Sequence, residues 1–112
     1  MIMKDQLMST SWSTLCAAGD LPDGEAGAFE IDGARLCLVN DAGSYYCVDD
    51  LCTHGRAFLS EGFCDTEDCV LECPLHGGLF DYRNGEACGE PAEKPVKSYA
   101  VRVEDGQVQV QL

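Results

Sequence analysis

The clearest alternation of apolar and polar positions lies at the C-terminal end of the chain. Apolar residues alternate with polar ones from Tyr99 to Val103 and again from Val108 to Leu112, with Asp105-Gly106 between the two runs. A period of two is that of a half-buried strand, and Asp-Gly is a common two-residue hairpin turn. The pattern predicts a β-hairpin at this end.

A second group of short apolar stretches lies upstream, at 29–31, 35–39 and 44–48, separated by Asp32-Gly33 and by the run NDAG at 40–43. Turn residues at such short spacing are typical of antiparallel meanders. No window of a dozen residues has the 3.6-residue apolar stripe of an amphipathic helix. We therefore predict an all-β fold, a small antiparallel sandwich or incomplete barrel.

Between residues 49 and 95 the alternation weakens, and Gly, Cys, His and Pro accumulate. Connections of this length in a compact domain are usually functional. A chain of 112 residues has room for one domain with one modest core. We predict a single domain over 1–112 with a loop-rich subdomain at about 49–95. Met8 could be the natural start, which would make residues 1–7 a flexible leader.

The charge of the chain limits its partners. There are 7 Lys and Arg against 20 Asp and Glu, a formal net charge of -13. Such a charge repels phosphate backbones and anionic membranes, so we expect neither nucleic acid nor membrane as a partner. The first six residues contain no signal-peptide core, and the longest aliphatic run, at 36–39, is too short to span a bilayer. We predict a cytoplasmic protein, whose thiols stay reduced.

Candidate chemistry is concentrated in two short boxes, CTHG at 52–55 and CPLHGG at 73–78, which contain both histidines of the protein. Each box aims one thiolate and one imidazole at the same point. The four candidate ligands suit a tetrahedral zinc ion, although zinc modules usually pair Cys with Cys and His with His. They also suit a [2Fe-2S] cluster with two Cys on one iron and two His on the other. These ligands are Cys52, His54, Cys73 and His76.

Charge favours the mixed ligand set for a cluster that is easily reduced. Two ferric ions, two sulfides and two thiolates sum to a neutral cluster, whereas four thiolates would leave it dianionic, and a neutral cluster accepts an electron more readily. Glycines fit the same interpretation. Gly55, Gly77 and Gly78 allow backbone N–H groups to approach the inorganic sulfurs closely.

The two boxes, with 18 residues between His54 and Cys73, resemble those of the Rieske iron-sulfur family. The flanking runs LSEGF at 59–63, FD at 80–81 and KPVKSY at 94–99 are similar to the Rieske ferredoxins of bacterial aromatic ring-hydroxylating dioxygenases. The similarity extends from about Trp12 to Val110. It implies the antiparallel Rieske fold, with one [2Fe-2S] cluster held in a loop-rich subdomain at one tip.

The resemblance also implies the role of each ligand and of the chain. Cys52 and Cys73 would hold the buried iron, and His54 and His76 would hold the outer, solvent-facing one. The protein would be an electron carrier and not an enzyme. It would pass single electrons from a flavin-dependent NADH:ferredoxin reductase to a terminal Rieske non-haem iron oxygenase, as a monomer. Two rivals are the small Rieske-like subunit of an assimilatory nitrite reductase and a zinc-binding interaction module without redox activity.

Further family features can be located by position. A proline loop that covers the cluster corresponds to 89–92, and Ala57 and Leu75 replace the cysteines that join the two boxes in respiratory Rieske proteins. High-potential members have Ser and Tyr hydroxyls where this chain has Gly78 and Phe80. We therefore expect a potential of roughly -150 mV, near the low end of the Rieske range.

The remaining cysteines and an acidic run have simpler interpretations. Cys64 and Cys69 flank an enlarged hairpin tip and could face each other across it as a disulfide. The acidic run is either a solvated face or a docking surface beside the cluster; it consists of Glu61, Asp65, Glu67, Asp68 and Glu72. Four cysteines are expected to pack as small apolar residues: Cys16, Cys37, Cys47 and Cys88.

Overall fold

The computed structural model describes residues 11–53 and 55–112, and within them every regular element except one short 3-10 turn is a β-strand. Residues 1–10, which include the expected leader, lie outside the described part, as does His54. The strands are β1 Trp12–Ala17, β2 Ala26–Ile31, β3 Ala34–Asp41, β4 Ser44–Asp49, β5 Phe63–Asp65, β6 Val70–Glu72, β7 Leu79–Asp81, β8 Ala87–Gly89, β9 Ser98–Tyr99, β10 Val101–Glu104 and β11 Gln107–Gln111; the 3-10 turn is Leu59–Glu61.

Three hairpins are closed by two-residue turns at the predicted places. The turn residues are Asp32-Gly33 between β2 and β3, Ala42-Gly43 between β3 and β4, and Asp105-Gly106 between β10 and β11. In each turn both residues have positive φ, from 51° to 90°. This conformation matches the twist of the paired strands, which explains the glycine at each second position.

The strands form three antiparallel sheets, in the orders β1-β11-β10, β2-β3-β4-β9 and β5-β6-β7-β8. The predicted strand from Tyr99 to Val103 is divided between two of them. Tyr99 pairs with Cys47 in the second sheet, whereas Val101 pairs with Val110 in the first. The break falls at Ala100, which belongs to neither strand. In the described part of the chain, no helix could span a membrane.

Strand β3 supplies side chains to both cores of the molecule. Leu36 and Leu38 pack with Val108 and Val110 of β11, between the first and second sheets. Cys37 and Val39, the alternate residues of β3, lie in a second core toward the β5–β8 sheet. This is the geometry expected of a central strand that is buried on both faces. The second core also contains Cys52, Leu59, Leu71, Cys73, Phe80, Tyr82, Ala92 and Val96.

The β5–β8 sheet lies within the stretch where the sequence pattern weakens. Each of its strands has only three residues, too few to show a period. At the β5–β6 tip, Cys64 pairs with Leu71 and Cys69 lies in the turn, with φ 60°. The two cysteines are therefore not directly cross-strand, and both are free thiols.

Candidate cluster-binding site

The first box lies in a loop between β4 and the 3-10 turn. Leu51 and Phe58 form an isolated antiparallel bridge across this loop. Above the bridge, the Cys52 N–H donates to the Ala57 carbonyl at 2.9 Å. The Cys52 side chain faces inward, and the residue is 4% exposed. His54 belongs to this loop in sequence, and it lies outside the described residues.

The second box is the hairpin loop that joins β6 to β7. The last residue pair of the two strands is Glu72 with Leu79. Beyond it, the Cys73 N–H donates to the Gly78 carbonyl at 2.8 Å, and the Gly77 N–H donates to the Cys73 carbonyl at 3.0 Å. Gly77 has φ +78°, which favours glycine. Cys73 is 1% exposed, whereas His76 at the tip is solvent-exposed.

Contacts between segments far apart in sequence bring the two boxes together with the proline loop at 89–92, called the proline segment below. Thr53 Oγ1 donates to the Lys94 carbonyl at 2.7 Å, which joins the first box to the chain just after Pro91. A Cβ on Gly55 would lie 2.7 Å from Leu75 Cδ2, so the two boxes touch here. Thr53, Pro91, Glu93 and Lys94 line an open cleft of about 370 Å³.

Ala92, from the proline segment, is buried against Gly78 of the second box. A Cβ on Gly78 would lie 3.0 Å from Ala92 Cβ and 3.1 Å from the Ala92 nitrogen. Real Cβ atoms seldom approach other atoms this closely, so glycine allows the two segments to pack in contact. The predicted proline loop therefore packs directly on the second box.

The sequence interpretation missed a buried carboxylate at the base of the first box. Asp50 is 0% exposed, and its carboxylate accepts hydrogen bonds from Arg35 Nε at 2.7 Å, Ser60 N–H at 2.7 Å and Ser60 Oγ at 2.9 Å. The sequence contained a sign that Asp50 is buried, because it lies at every second position with two apolar residues. Val48, Asp50 and Cys52 occupy successive inward positions, and all three are buried.

Several of the cysteines outside the boxes have raised pKa values. Burial raises the pKa of Cys47 to about 12 and that of Cys64 to about 11, and it raises the pKa of Cys37 well above the usual thiol range. Only the thiolate is a good metal ligand, and a raised pKa disfavours it. Cys37 and Cys47 are core residues, as predicted. Cys16 is half-buried, and the expectation for Cys88 was wrong, because Cys88 is exposed on β8.

The donors suit a binuclear cluster. Cys52 and Cys73 lie in the same buried core, while His76 lies at the surface. In the part of the chain that the structure describes, no three His, Cys, Asp or Glu side chains are close enough to hold one metal ion. A tetrahedral zinc ion takes all its ligands at one centre, whereas a [2Fe-2S] cluster divides them between two irons. The buried thiols and the exposed imidazole match the second pattern.

Fold and site together define an antiparallel β protein in which the two sequence boxes and the proline segment pack against one another at one end of the second core. Residues 11–100 match the Rieske [2Fe-2S] domain family. The chain belongs to this family, and the cofactor that goes with it is one Rieske-type [2Fe-2S] cluster. The zinc interpretation is thereby replaced.

Several of the similar proteins are ferredoxins of dioxygenase systems. The chain is 34% identical over 105 residues, 94% of its length, to the ferredoxin component of the naphthalene 1,2-dioxygenase/salicylate 5-hydroxylase systems of Ralstonia sp, of which 99% is covered. Among solved structures, the ferredoxin of carbazole 1,9a-dioxygenase from Nocardioides aromaticivorans IC177 has a TM-score of 0.88 at 34% identity, with 90% of this chain and 97% of that one covered.

Two further structures bear on partners. A ferredoxin in complex with the reduced oxygenase of carbazole 1,9a-dioxygenase has a TM-score of 0.83 at 37% identity, with 89% of this chain and 92% of that one covered. A structure described as a nitrite reductase NADPH small subunit has a TM-score of 0.78 at 26% identity, with 91% and 99% covered. The comparisons confirm the predicted all-β Rieske fold, the cofactor and the kinship to ferredoxin components rather than to catalytic enzymes.

Proposed function

We propose that this protein is the electron-carrying ferredoxin of a multicomponent aromatic-ring dioxygenase. The observation that carries the proposal is the asymmetry of the site. Two candidate thiolate ligands are buried, at 4% and 1% exposure, and the candidate imidazole His76 is exposed at the surface. Such an arrangement insulates one side of a redox centre and leaves the other side within short reach of a docked partner.

In this proposal Cys52 and Cys73 would hold the inner iron, and His54 and His76 would hold the outer one. When bound, the cluster would supply one-electron redox chemistry. The chain's own residues position that cluster. Hydrogen bonds across each loop, Cys52 to Ala57 and Cys73 to Gly78, hold the backbone in place when the electron arrives. The Gly78–Ala92 contact closes the proline segment on the second box.

The surroundings of the exposed ligand suit brief docking. Leu51 and Leu75, which precede Cys52 and His76, are 54% and 48% exposed. Glu61, in the 3-10 turn that follows the first box, is also exposed. Exposed apolar side chains beside the site, on a chain with a net charge of -13, support contacts that are steered by charge and released quickly. A carrier that must dock twice for each two-electron dihydroxylation requires that combination.

The proposed partners are a flavin-dependent NADH:ferredoxin reductase as donor and a terminal Rieske non-haem iron oxygenase as acceptor. The similarity to a ferredoxin that has been seen in complex with its oxygenase supports the second partner. We further propose that residues 1–112 act as one monomeric domain, with the cluster-binding subdomain at about 49–95. The proposed site of action is the cytoplasm, where NADH is available.

Reconstitution tests this proposal. The purified protein is combined with an NADH-dependent flavin reductase and an aromatic dioxygenase, such as one that oxidises naphthalene, and product is measured with and without it. We expect product formation to require the protein. A matched control is the variant Cys73→Ser, which should lose the cluster and give no product. A brown, reducible wild type that never supports turnover with any reductase and oxygenase pair would refute the role.

The second candidate function is that of a nitrite reductase small subunit, favoured by the similarity to a structure of that description. A permanent subunit would copurify with its large partner in a stable complex, whereas a dioxygenase ferredoxin dissociates. Size-exclusion chromatography of the tagged protein from its natural host separates the two. A stable complex that contains a sirohaem protein would favour the nitrite reductase assignment.

A further inference from the structure

The buried carboxylate of Asp50 closes the base of the first box. Its backbone carbonyl accepts the Leu59 N–H at 2.7 Å, and its carboxylate oxygens accept the N–H and the hydroxyl of Ser60 at 2.7 and 2.9 Å. Residue 50 precedes the box, and residues 59 and 60 follow it. These three hydrogen bonds therefore tie together the two ends of the segment that carries Cys52 and His54.

The second box needs no such device. Its ends are strands β6 and β7, which pair through three successive residues up to Glu72 and Leu79. The first box is flanked by one isolated bridge, Leu51 with Phe58. Backbone hydrogen bonds between β6 and β7 hold the second box, whereas a clamp of hydrogen bonds to the Asp50 side chain holds the first. The difference explains why a charged group is buried at this point, since an unpaired buried carboxylate would be unfavourable.

Arg35 completes the clamp from the central sheet. Its Nε donates to Asp50 Oδ2 at 2.7 Å, and its Cζ lies 3.8 Å from the centroid of the Phe58 ring. The Asp50 N–H also donates to the Arg35 carbonyl at 3.1 Å. The guanidinium thus neutralises the buried carboxylate and packs on the residue that bridges to Leu51.

We propose that Arg35, Asp50 and Ser60 form a positioning unit for the cluster: the Asp50 carboxylate clamps the first ligand loop, and the Arg35 charge cancels the charge of Asp50 two residues from Cys52. The inference rests on the ligand assignment proposed above. It makes two separate claims. Hydrogen bonds to Asp50 retain the cluster, and the balance of charge within the Arg35–Asp50 pair sets the reduction potential.

Four variants separate these claims in the cluster-loaded protein. Asp50→Asn keeps the shape but removes the negative charge, so the potential should rise. Arg35→Gln leaves the carboxylate uncompensated, so the potential should fall. The double variant restores neutrality and should return most of the way to the wild-type potential. Ser60→Ala removes one clamp bond without changing charge, so it should leave the potential unchanged and speed cluster loss. Potentials are measured by spectroelectrochemical titration, and cluster loss by bleaching of the visible absorbance.

Asn40→Ala is the matched control. Asn40 lies near the other end of β3 from Arg35, and its buried amide donates to the Leu21 carbonyl at 2.7 Å and accepts the Gly43 N–H at 2.9 Å. This variant should lower thermal stability without moving the potential or the EPR g-values. For Asp50→Asn, the loss of a charge-assisted bond should speed cluster release by about tenfold or more relative to this control.

Opposite potential shifts in Asp50→Asn and Arg35→Gln would support the proposal, because general loosening of the fold cannot change sign with the charge removed. Shifts of the same sign, or unchanged potentials with cluster loss no faster than in Asn40→Ala, would overturn it. A wild-type protein without a Rieske EPR spectrum would overturn the ligand assignment itself. The failure of the inference and the failure of the proposed function are therefore distinguishable.

Discussion

The contact between Gly78 and Ala92 offers a quantitative test of how the proline segment closes on the second box. In Gly78→Ala, the new Cβ would lie 3.0 Å from Ala92 Cβ and 3.1 Å from the Ala92 nitrogen. Carbon atoms in van der Waals contact are about 3.5 to 4.0 Å apart, so the proline segment must retreat by roughly 0.5 Å or more. Overpacking of this kind costs about 1 to 3 kcal/mol. For a domain of this size we expect the thermal midpoint to fall by about 4 to 12 °C.

The assay is thermal and urea unfolding of the cluster-loaded protein, followed by circular dichroism and by visible absorbance. Ala92→Gly removes one of the two clashing atoms, so Gly78→Ala/Ala92→Gly should recover part of the loss, with a coupling of about 1 kcal/mol in a double-mutant cycle. Gly27→Ala is the control, because its Cβ would meet the flexible end of Leu21 at 3.1 Å, which can move aside. An unchanged midpoint in Gly78→Ala, or a double variant without positive coupling, would refute the packing argument.

Three further predictions concern charge and hydrogen bonding. His76→Cys should retain a cluster with one more negative charge and lower the potential by on the order of 100 mV, as a redox titration would show; an unchanged potential would argue against His76 as a ligand. Hydrogen bonds from Arg83 lower the pKa of Asp81 in the folded protein. The pair therefore stabilises the fold above the unfolded pKa of about 3.9, and this stabilisation is lost as the pH falls through the lower pKa of the folded state. The difference in free energy of unfolding between wild type and Arg83→Gln, measured in urea, should therefore be present at pH 6 and smaller at pH 3. A difference that does not change with pH would contradict this prediction. Tyr82→Phe removes a 2.7 Å hydrogen bond to Asp41 and should cost about 1 kcal/mol in the same unfolding assay, whereas a neutral result would show that this bond contributes nothing net.

Short-range signals were reliable for this chain. The turns at Asp32-Gly33 and Asp105-Gly106 were predictable because the backbone conformation of a two-residue hairpin depends on those residues themselves. The ligand boxes were readable for a similar reason, since residue type and spacing within a few positions define the candidate donors. Alternation correctly marked β11 as a strand, and short apolar stretches between turn residues correctly marked β3 and β4.

Several features depended on partners far away in sequence and could not be predicted. The extended run through Tyr99 and Val101 contains no local mark of its transfer between sheets at Ala100. The β5–β8 strands are three residues long, so pairing rather than pattern reveals them. The turn around Cys69 follows from Asp65 Oδ1, which accepts the Glu67 and Asp68 N–H groups and thereby sets the register that separates Cys64 from Cys69.

By itself, the sequence determined the all-β class, the positions of the tight turns and the residue types available to a cluster, because each depends on residues close together in the chain. The tertiary structure alone decided that Thr53 meets Lys94, 41 residues later, and that Asp50 is buried against Arg35 and Ser60. It also decided that Cys73 is buried while His76 is exposed. Burial depends on which sheets pack together, and that packing is a property of the whole chain.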